Sequence, residues 1–289
     1  MLGTALIREL TRDGVTVTVL TRRPRQPQQV RWDPYGSAAS EWAHTLDGAD
    51  AVVNLVGASI NRRWTPAYKR ELWDSRVRAT RTLVAAMKSV RRIPPVFVSG
   101  SAVGIYGDRG EELVTEQTPP ASDFLASLGA QWENEALTAR PAARVVVVRS
   151  GIVLDRDEGA LPRMALPFRL FGGGRLGSGH QYISWIHRND WTGMVRWALA
   201  NQTVTGPLNA TAPNPVTNLE FARTLGRVLR RPSLVPAPAF ALRLVLGEMA
   251  AVVLGGQRVM PAKAQSLGFA FQYPVLEGAL RAIYARRGP

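Results

Sequence analysis

At 289 residues, with 46% apolar and 20% charged residues, the chain can bury a sizeable core, and general disorder is excluded. It has no cysteine, which excludes disulfides, thiolate nucleophiles and Cys-ligated zinc. The net charge of +14 is mostly arginine, since only Lys69, Lys88 and Lys263 are lysine, and its doublets (Arg22-Arg23, Arg62-Arg63, Arg91-Arg92, Arg230-Arg231) are scattered; such a field steers small anions as well as nucleic acid, so a nucleic-acid role ranks last.

In chain order, apolar residues at helical spacing (Leu2, Ala5, Leu6, Leu10) predict a helix over 3–12, followed by a strand over 15–21 ("VTVTVL") and a short one over 29–33. The run "DAVVNLVG" (50–57) reads as a strand buried on both faces. A helix is expected over about 65–90, with Tyr68, Leu72, Val77, Leu83 and Ala86 at helical spacing, then a strand over 95–104, a helix over 124–139 and a strand over 143–154. Strands alternating with helices imply parallel pairing by right-handed crossovers, hence an α/β, Rossmann-like doubly wound sheet. After residue 155 glycine and proline rise and strands shorten, which suggests a smaller C-terminal α+β lobe. The expected division is a dinucleotide-binding domain over 1–155, substrate-lobe segments mixed with sheet elements over 156–235, and a small helical domain over 236–289. The most apolar stretch, "LVPAPAFALRLVLGEMAAVVLGG", is interrupted by Pro236, Pro238, Arg243 and Glu248. A membrane span needs about 20 mostly apolar residues, so this stretch reads as a buried or amphipathic helical pair, with no membrane partner and a cytoplasmic setting.

The beginning of the pattern is unusual. In a dinucleotide-binding sheet the first strand is central, and the turn after it carries glycines that let the backbone approach a pyrophosphate. Gly3 fits the last of those glycines, the one permitting close helix-to-strand packing; the strand and earlier glycines do not precede it. A start assigned too far downstream is preferred here over a shortened chain that has lost its cradle. A gap is expected between "VTVTVL" and "DAVVNLV", where buried backbone groups without partners would cost about 1–3 kcal/mol each.

The ordered segments "NLVGASINRRWT", "DSRVRATRTLV", "SGSAVGIYG", "DFLASLGAQWENEA", "RSGIVL", "GGRLGSGHQYISWIHRND" and "GPLNATAPNPVTN" resemble the NAD(P)-dependent epimerase/dehydratase-like proteins of the extended short-chain dehydrogenase/reductase superfamily. More narrowly they resemble its "epimerase family protein" branch, whose small terminal domain of unknown function is matched by "LGEMAAVVLGGQRVMPAKAQSLGFAFQYPVLEGAL". The resemblance implies an NADP(H)-dependent oxidoreductase or epimerase-like protein acting on a small polar substrate, the alternative being a non-catalytic or regulatory NADP(H) binder.

That resemblance also assigns positions. Arg22 and Arg23 follow the second strand of the pattern, where arginine pairs with a 2′-phosphate and favours NADP(H); a solvated charged turn is the other reading. Asn54, Leu55 and Gly57 end a strand at the cofactor side, and Ser75 and Arg76 lie on a helix segment facing it, or alternatively on a solvated face. Ser99 and Ser101 end the next strand, where the superfamily places a hydroxyl on the substrate oxygen. The departure is the missing Tyr-x-x-x-Lys pair: the helix reads "DFLASLGAQWENEA", and no lysine stands four residues after a tyrosine. Tyr106 is then the substitute donor, unless it is only a packed turn aromatic, and Glu133 or Glu135 the base or anchor. His187 is taken as structural, Asp190 as a cap or a ligand contact. The three histidines, His44, His180 and His187, lack metal-ligand spacing, so no metal is expected.

Overall fold

Side-chain alternation along the two longest strands decides the architecture. In the computed structural model, which describes residues 2–37 and 41–285, Phe97, Val145 and Val147 enter one apolar cluster with Trp42, Leu83 and Met87. Their chain neighbours Val98, Val146 and Val148 enter another with Leu6, Ile186, Trp191 and Val195. A strand whose successive residues fill different cores is covered on both faces, and this is why the runs are continuously apolar.

The strands are β1 (Val19–Thr21), β2 (Gln29–Arg31), β3 (Val52–Asn54), β4 (Val96–Ala102), β5 (Leu113–Val114), β6 (Arg144–Ser150), β7 (Ile152–Leu154), β8 (Tyr182–Ile183), β9 (Trp185–His187), β10 (Gly206–Ala210), β11 (Val216–Thr217) and β12 (Arg258–Val259). The helices are α1 (Leu2–Arg12), α2 (Pro66–Trp73), α3 (Ala79–Ser89), α4 (Phe124–Leu137), α5 (Leu161–Arg169), α6 (Arg188–Ala200), α7 (Asn218–Leu229), α8 (Ala239–Leu246), α9 (Ala250–Leu254), α10 (Ala262–Ser266) and α11 (Leu276–Tyr284). The central sheet is parallel in the order β10-β6-β4-β3. A third cluster, with Leu161, Phe168, Trp185, Phe221, Leu225 and Leu280, forms the core of the second half.

Among the described residues, β1 pairs only with β2 and β3 only with β4, so the expected discontinuity between "VTVTVL" and "DAVVNLV" is present. It also shortens the first strand, expected over 15–21. Only Val19–Thr21 finds a ladder partner, and residues 15–18 are not strand. The strand expected over 143–154 divides at Gly151, because the chain passes the Ser184 carbonyl so closely that a Cβ there would lie 2.3 Å from its oxygen. Beyond that glycine, β7 leaves the central sheet and pairs with β9.

The expected helix over 65–90 is α2, a π-helical turn (Asp74–Arg78) and α3 in succession. It starts at Thr65, whose hydroxyl accepts from the Tyr68 N–H at 3.2 Å, with Pro66 in the first turn, where no N–H is needed. The terminal segment is tied into the remainder: β12 pairs with β5, and the Asp190 carboxylate accepts from the Gln272 and Tyr273 N–H groups at 2.7 and 2.9 Å. One expectation is corrected. Of the apolar pair read as buried or amphipathic, α8 buries none of its residues, and Phe240 and Leu244 are 74% and 81% exposed. Bounded by Pro238 and Gly247 (φ +59°), it half-buries Ala239, Ala241, Leu242 and Leu246 and turns Phe240, Leu244 and Val245 outward, because apolar content alone does not say which way a helix looks.

Candidate active site

Register assembles the centre of the site. At the carboxyl ends of the parallel strands, Ser101 of β4 stands beside Arg149 of β6, and Arg149 beside Asn209 of β10. Aligned residues in parallel strands share a face, so three polar side chains form one row across an apolar sheet.

The row is completed by Glu133 from α4 and Tyr106 from the turn after β4. Arg149 grips Glu133 with both ends of its fork, Nε to Oε1 at 2.8 Å and Nη2 to Oε2 at 2.7 Å. It also donates through Nη1 to the Tyr106 hydroxyl at 2.8 Å and to the Glu116 carbonyl at 3.2 Å. The Tyr106 hydroxyl donates to Asn209 Oδ1 at 2.7 Å, and the Ser101 hydroxyl donates to Glu133 Oε1 at 2.6 Å. Asn209 is held by its own N–H on Glu116 Oε1 and its Nδ2 on the Met260 carbonyl. Ser101, Glu133 and Arg149 are each about 5% exposed and Tyr106 not at all. Burial pulls the Arg149 guanidinium down, but the hydrogen bonds and charge of Glu133 outweigh it and leave it raised, so the arginine is a fixed cation. Burial raises the Tyr106 phenol despite the opposing charge of Arg149, so its proton is firmly held.

Thus the three residues expected to act on a substrate, Ser101, Tyr106 and Glu133, meet in one buried network. Its hub, Arg149, was missed in the sequence, as was Asn209. The signal was there: "VVVVRS" ends a doubly buried strand on a charge, and a buried charge needs a partner. Glu135 is apart from the network, paired with Arg81. His187 caps α6, with Nδ1 accepting from the Asn189 N–H at 3.1 Å, and stacks on Tyr273 at 3.9 Å between ring centres.

A second group surrounds the end of β3. Asn54 is buried, donating to Thr80 Oγ1 at 2.8 Å and accepting from the Val56 N–H at 3.2 Å; Trp132 of α4 donates to the same Thr80 oxygen at 2.9 Å. Leu55 is half-buried against the cluster that holds Leu6, and Ser99 is fully enclosed. The exposed Gly57 sits against the Arg76 guanidinium, where a Cβ would approach its Cζ to 3.1 Å. Ser75 Oγ accepts from the Ala58 N–H at 2.9 Å, and Arg76 donates to the Ala58 carbonyl at 2.9 Å while lying over the Trp132 ring at 5.3 Å. The π-helical turn carries both residues to the strand-end loop, a use of such turns that recurs at functional sites. Arg22 and Arg23 follow β1, exposed and without an ion pair among the described residues. Gly3 lies in the first turn of α1 with nothing within 4 Å of where a Cβ would stand, so the close packing implied for it is not made by the described residues.

A doubly wound parallel sheet with polar groups gathered at its carboxyl edge is the architecture of a dinucleotide-binding protein. Residues 1–209 match the NAD dependent epimerase/dehydratase family and residues 237–283 a domain of unknown function, DUF1731; the chain belongs to this epimerase family. It is 42% identical to the chloroplastic epimerase family protein SDR39U1 homolog of Arabidopsis thaliana, covering 98% of this chain and 83% of that protein. It is 39% identical to the epimerase family protein YfhF of Bacillus subtilis, covering 99% and 95% respectively. Among solved structures it resembles the human epimerase family protein SDR39U1 (isoform 2) with NADPH, at a TM-score of 0.90 and 38% identity over 98% of this chain and 95% of that one. These relationships make it an NAD(P)-dependent epimerase-like protein.

Proposed function

We propose that the protein is an NADP(H)-dependent oxidoreductase or epimerase-type enzyme acting on a small polar substrate. The observation that carries this is the similarity over nearly the whole chain to a protein solved with NADPH. The residues present fit such a coenzyme. Arg22 and Arg23 are exposed cations at a strand end, free to take a 2′-phosphate, and Gly57 leaves the β3 loop open beside Arg76. When bound, the nicotinamide supplies or accepts the hydride.

In this reading Ser101, at the strand end, is the hydroxyl that contacts the substrate oxygen, and Glu133 is the group that takes or returns its proton. Arg149, Tyr106 and Asn209 hold that pair in place. Preorganised polar groups in a water-poor site are the usual source of large rate effects. Ser101→Ala is expected to lower turnover about a hundredfold with NADPH affinity unchanged; turnover near that of the wild type would remove Ser101 from the chemistry.

Cofactor choice has its own test. In a tryptophan-fluorescence titration, the Arg22→Ala/Arg23→Ala variant should bind NADPH about 10- to 100-fold more weakly, the range for losing one charge-assisted contact, and NADH as before. An unaltered preference would sink the assignment to the 2′-phosphate. A second reading, a binder without chemistry, is favoured by the enclosed Tyr106 hydroxyl and by Lys263, whose Nζ is occupied by the Thr205 and Pro207 carbonyls at 2.7 and 2.6 Å. Binding of NADPH without oxidation across a broad panel of carbonyl compounds would decide for it.

A further inference from the structure

The chain from the end of α7 through α8 has no assigned role, and two independent features lie along it. The first is an open surface cavity of about 510 Å³ lined by Arg223, Arg227, Arg230, Arg231, Ser233 and Leu234. It exists because the chain after α7 folds back against Gly226, where a Cβ would meet the Arg231 carbonyl oxygen at 2.9 Å, with Arg230 in the left-handed region at φ +55°. Arg227 pairs with Glu277 at 3.1 Å, and Arg231 lies over the Phe171 ring at 4.6 Å. Arg223 and Arg230 make no ion pair among the described residues, and the Ser233 hydroxyl is enclosed with no hydrogen-bond partner there. Exposed guanidinium groups gathered on one depression can donate charge-assisted hydrogen bonds to a phosphate group in place of water.

The second feature is apolar. Leu170 and Phe171 are 72% and 60% exposed, Leu234 at the cavity rim 83%, and in α8 Phe240, Leu244 and Val245 are each more than 70% exposed. The features adjoin along the chain: Phe171 lies under Arg231, the Val235 N–H donates to the Gly173 carbonyl at 3.1 Å, and α8 follows directly after Pro238. Large apolar side chains are not left in water in such a group without a partner.

We propose that this segment docks on an anionic phospholipid surface, with a lipid phosphate in the arginine cavity and the exposed side chains of α8 in the headgroup boundary. Charge chooses this occupant. A second copy would bring two chains of net charge +14 together at their arginines, whereas an anionic bilayer complements both charge and apolar surface. No helix among the described residues is long and apolar enough to cross a membrane, so the contact is peripheral. It departs from the sequence expectation of no membrane partner, because α8 looks outward. The inference does not rest on the reading of the NADP(H) site.

The test is co-sedimentation of the full chain with phosphatidylcholine vesicles, with and without phosphatidylserine. The expected result is about a tenfold or greater preference for the anionic vesicles, weakening with salt. Arg223→Glu/Arg230→Glu should abolish the preference, and Phe240→Ser/Leu244→Ser should weaken binding about tenfold, with Tm and NADPH titration unchanged in both. Equal sedimentation with both vesicle types, or variants that bind as the wild type does, overturns the proposal. So does a dimer, seen by light scattering, that Phe240→Ser/Leu244→Ser dissociates, which would give the segment to a second copy.

Discussion

Glu133→Ala is expected to lower folding stability by about 3–5 kcal/mol, the range for removing one partner of a buried ion pair. The cause is what remains. Arg149, about 5% exposed, would keep its charge in the sheet interior with only the Tyr106 hydroxyl and the Glu116 carbonyl as acceptors. Ser101 would lose the acceptor of its hydroxyl as well. Urea denaturation measures the loss directly. The control is Glu133→Leu/Arg149→Met, which removes both charges for apolar side chains of similar size. It should stay within about 2 kcal/mol of the wild type, because neither ion is then left unpaired. A single variant as stable as the double one would show that water reaches Arg149 and that the network is not closed. The comparison bears on function too: a double variant that folds well but turns over nothing would separate the network's part in the reaction from its part in stability.

Acid should destabilise the fold through His187. Burial, helped by the neighbouring Arg188 charge and opposed by Asp155, lowers its pKa from about 6.5 to about 4. The unfolded chain therefore takes up the extra proton first. Stability is full above pH 6.5, falls as pH drops towards 4, and stops falling on this account below that. At about 1.4 kcal/mol per unit the shift corresponds to about 3 kcal/mol. Denaturation at pH 7 and pH 5 should reveal part of this difference in the wild type and less of it in His187→Asn, which keeps a side-chain acceptor for the helix start. Asp190, raised by burial, acts in the opposite direction at lower pH, so the subtraction of variant from wild type is the quantity to read. Equal pH dependence in the two proteins would mean that His187 takes up its proton at the same pH in the folded and unfolded chains and that its burial does not oppose the charge.

The candidate site was legible in the sequence only in part. Ser101, Tyr106 and Glu133 could be picked out by the strand end, the turn and the helix they occupy, but their joint purpose could not. The group that binds them, Arg149, is 16 residues beyond Glu133 in the chain, and Asn209 is 103 beyond Tyr106. Nothing local marks such pairs, because they are neighbours through register across β4, β6 and β10. Arg76 was found for its helix, yet its contact with Gly57 and Ala58 depends on a π-helical turn that helical periodicity does not announce.

The sequence by itself determined the alternation of strands and helices, the doubly covered sheet and the discontinuity beside the first strand, since each follows from local patterns of apolar residues and glycine. Only the tertiary structure decided that the strand after Arg144 breaks at Gly151, that α8 looks outward, and that five polar side chains from separate elements close into one network. Those outcomes depend on which backbone passes close to which, and on where a buried charge finds its partner. Both are set by the packing of the whole chain and by no stretch of it alone.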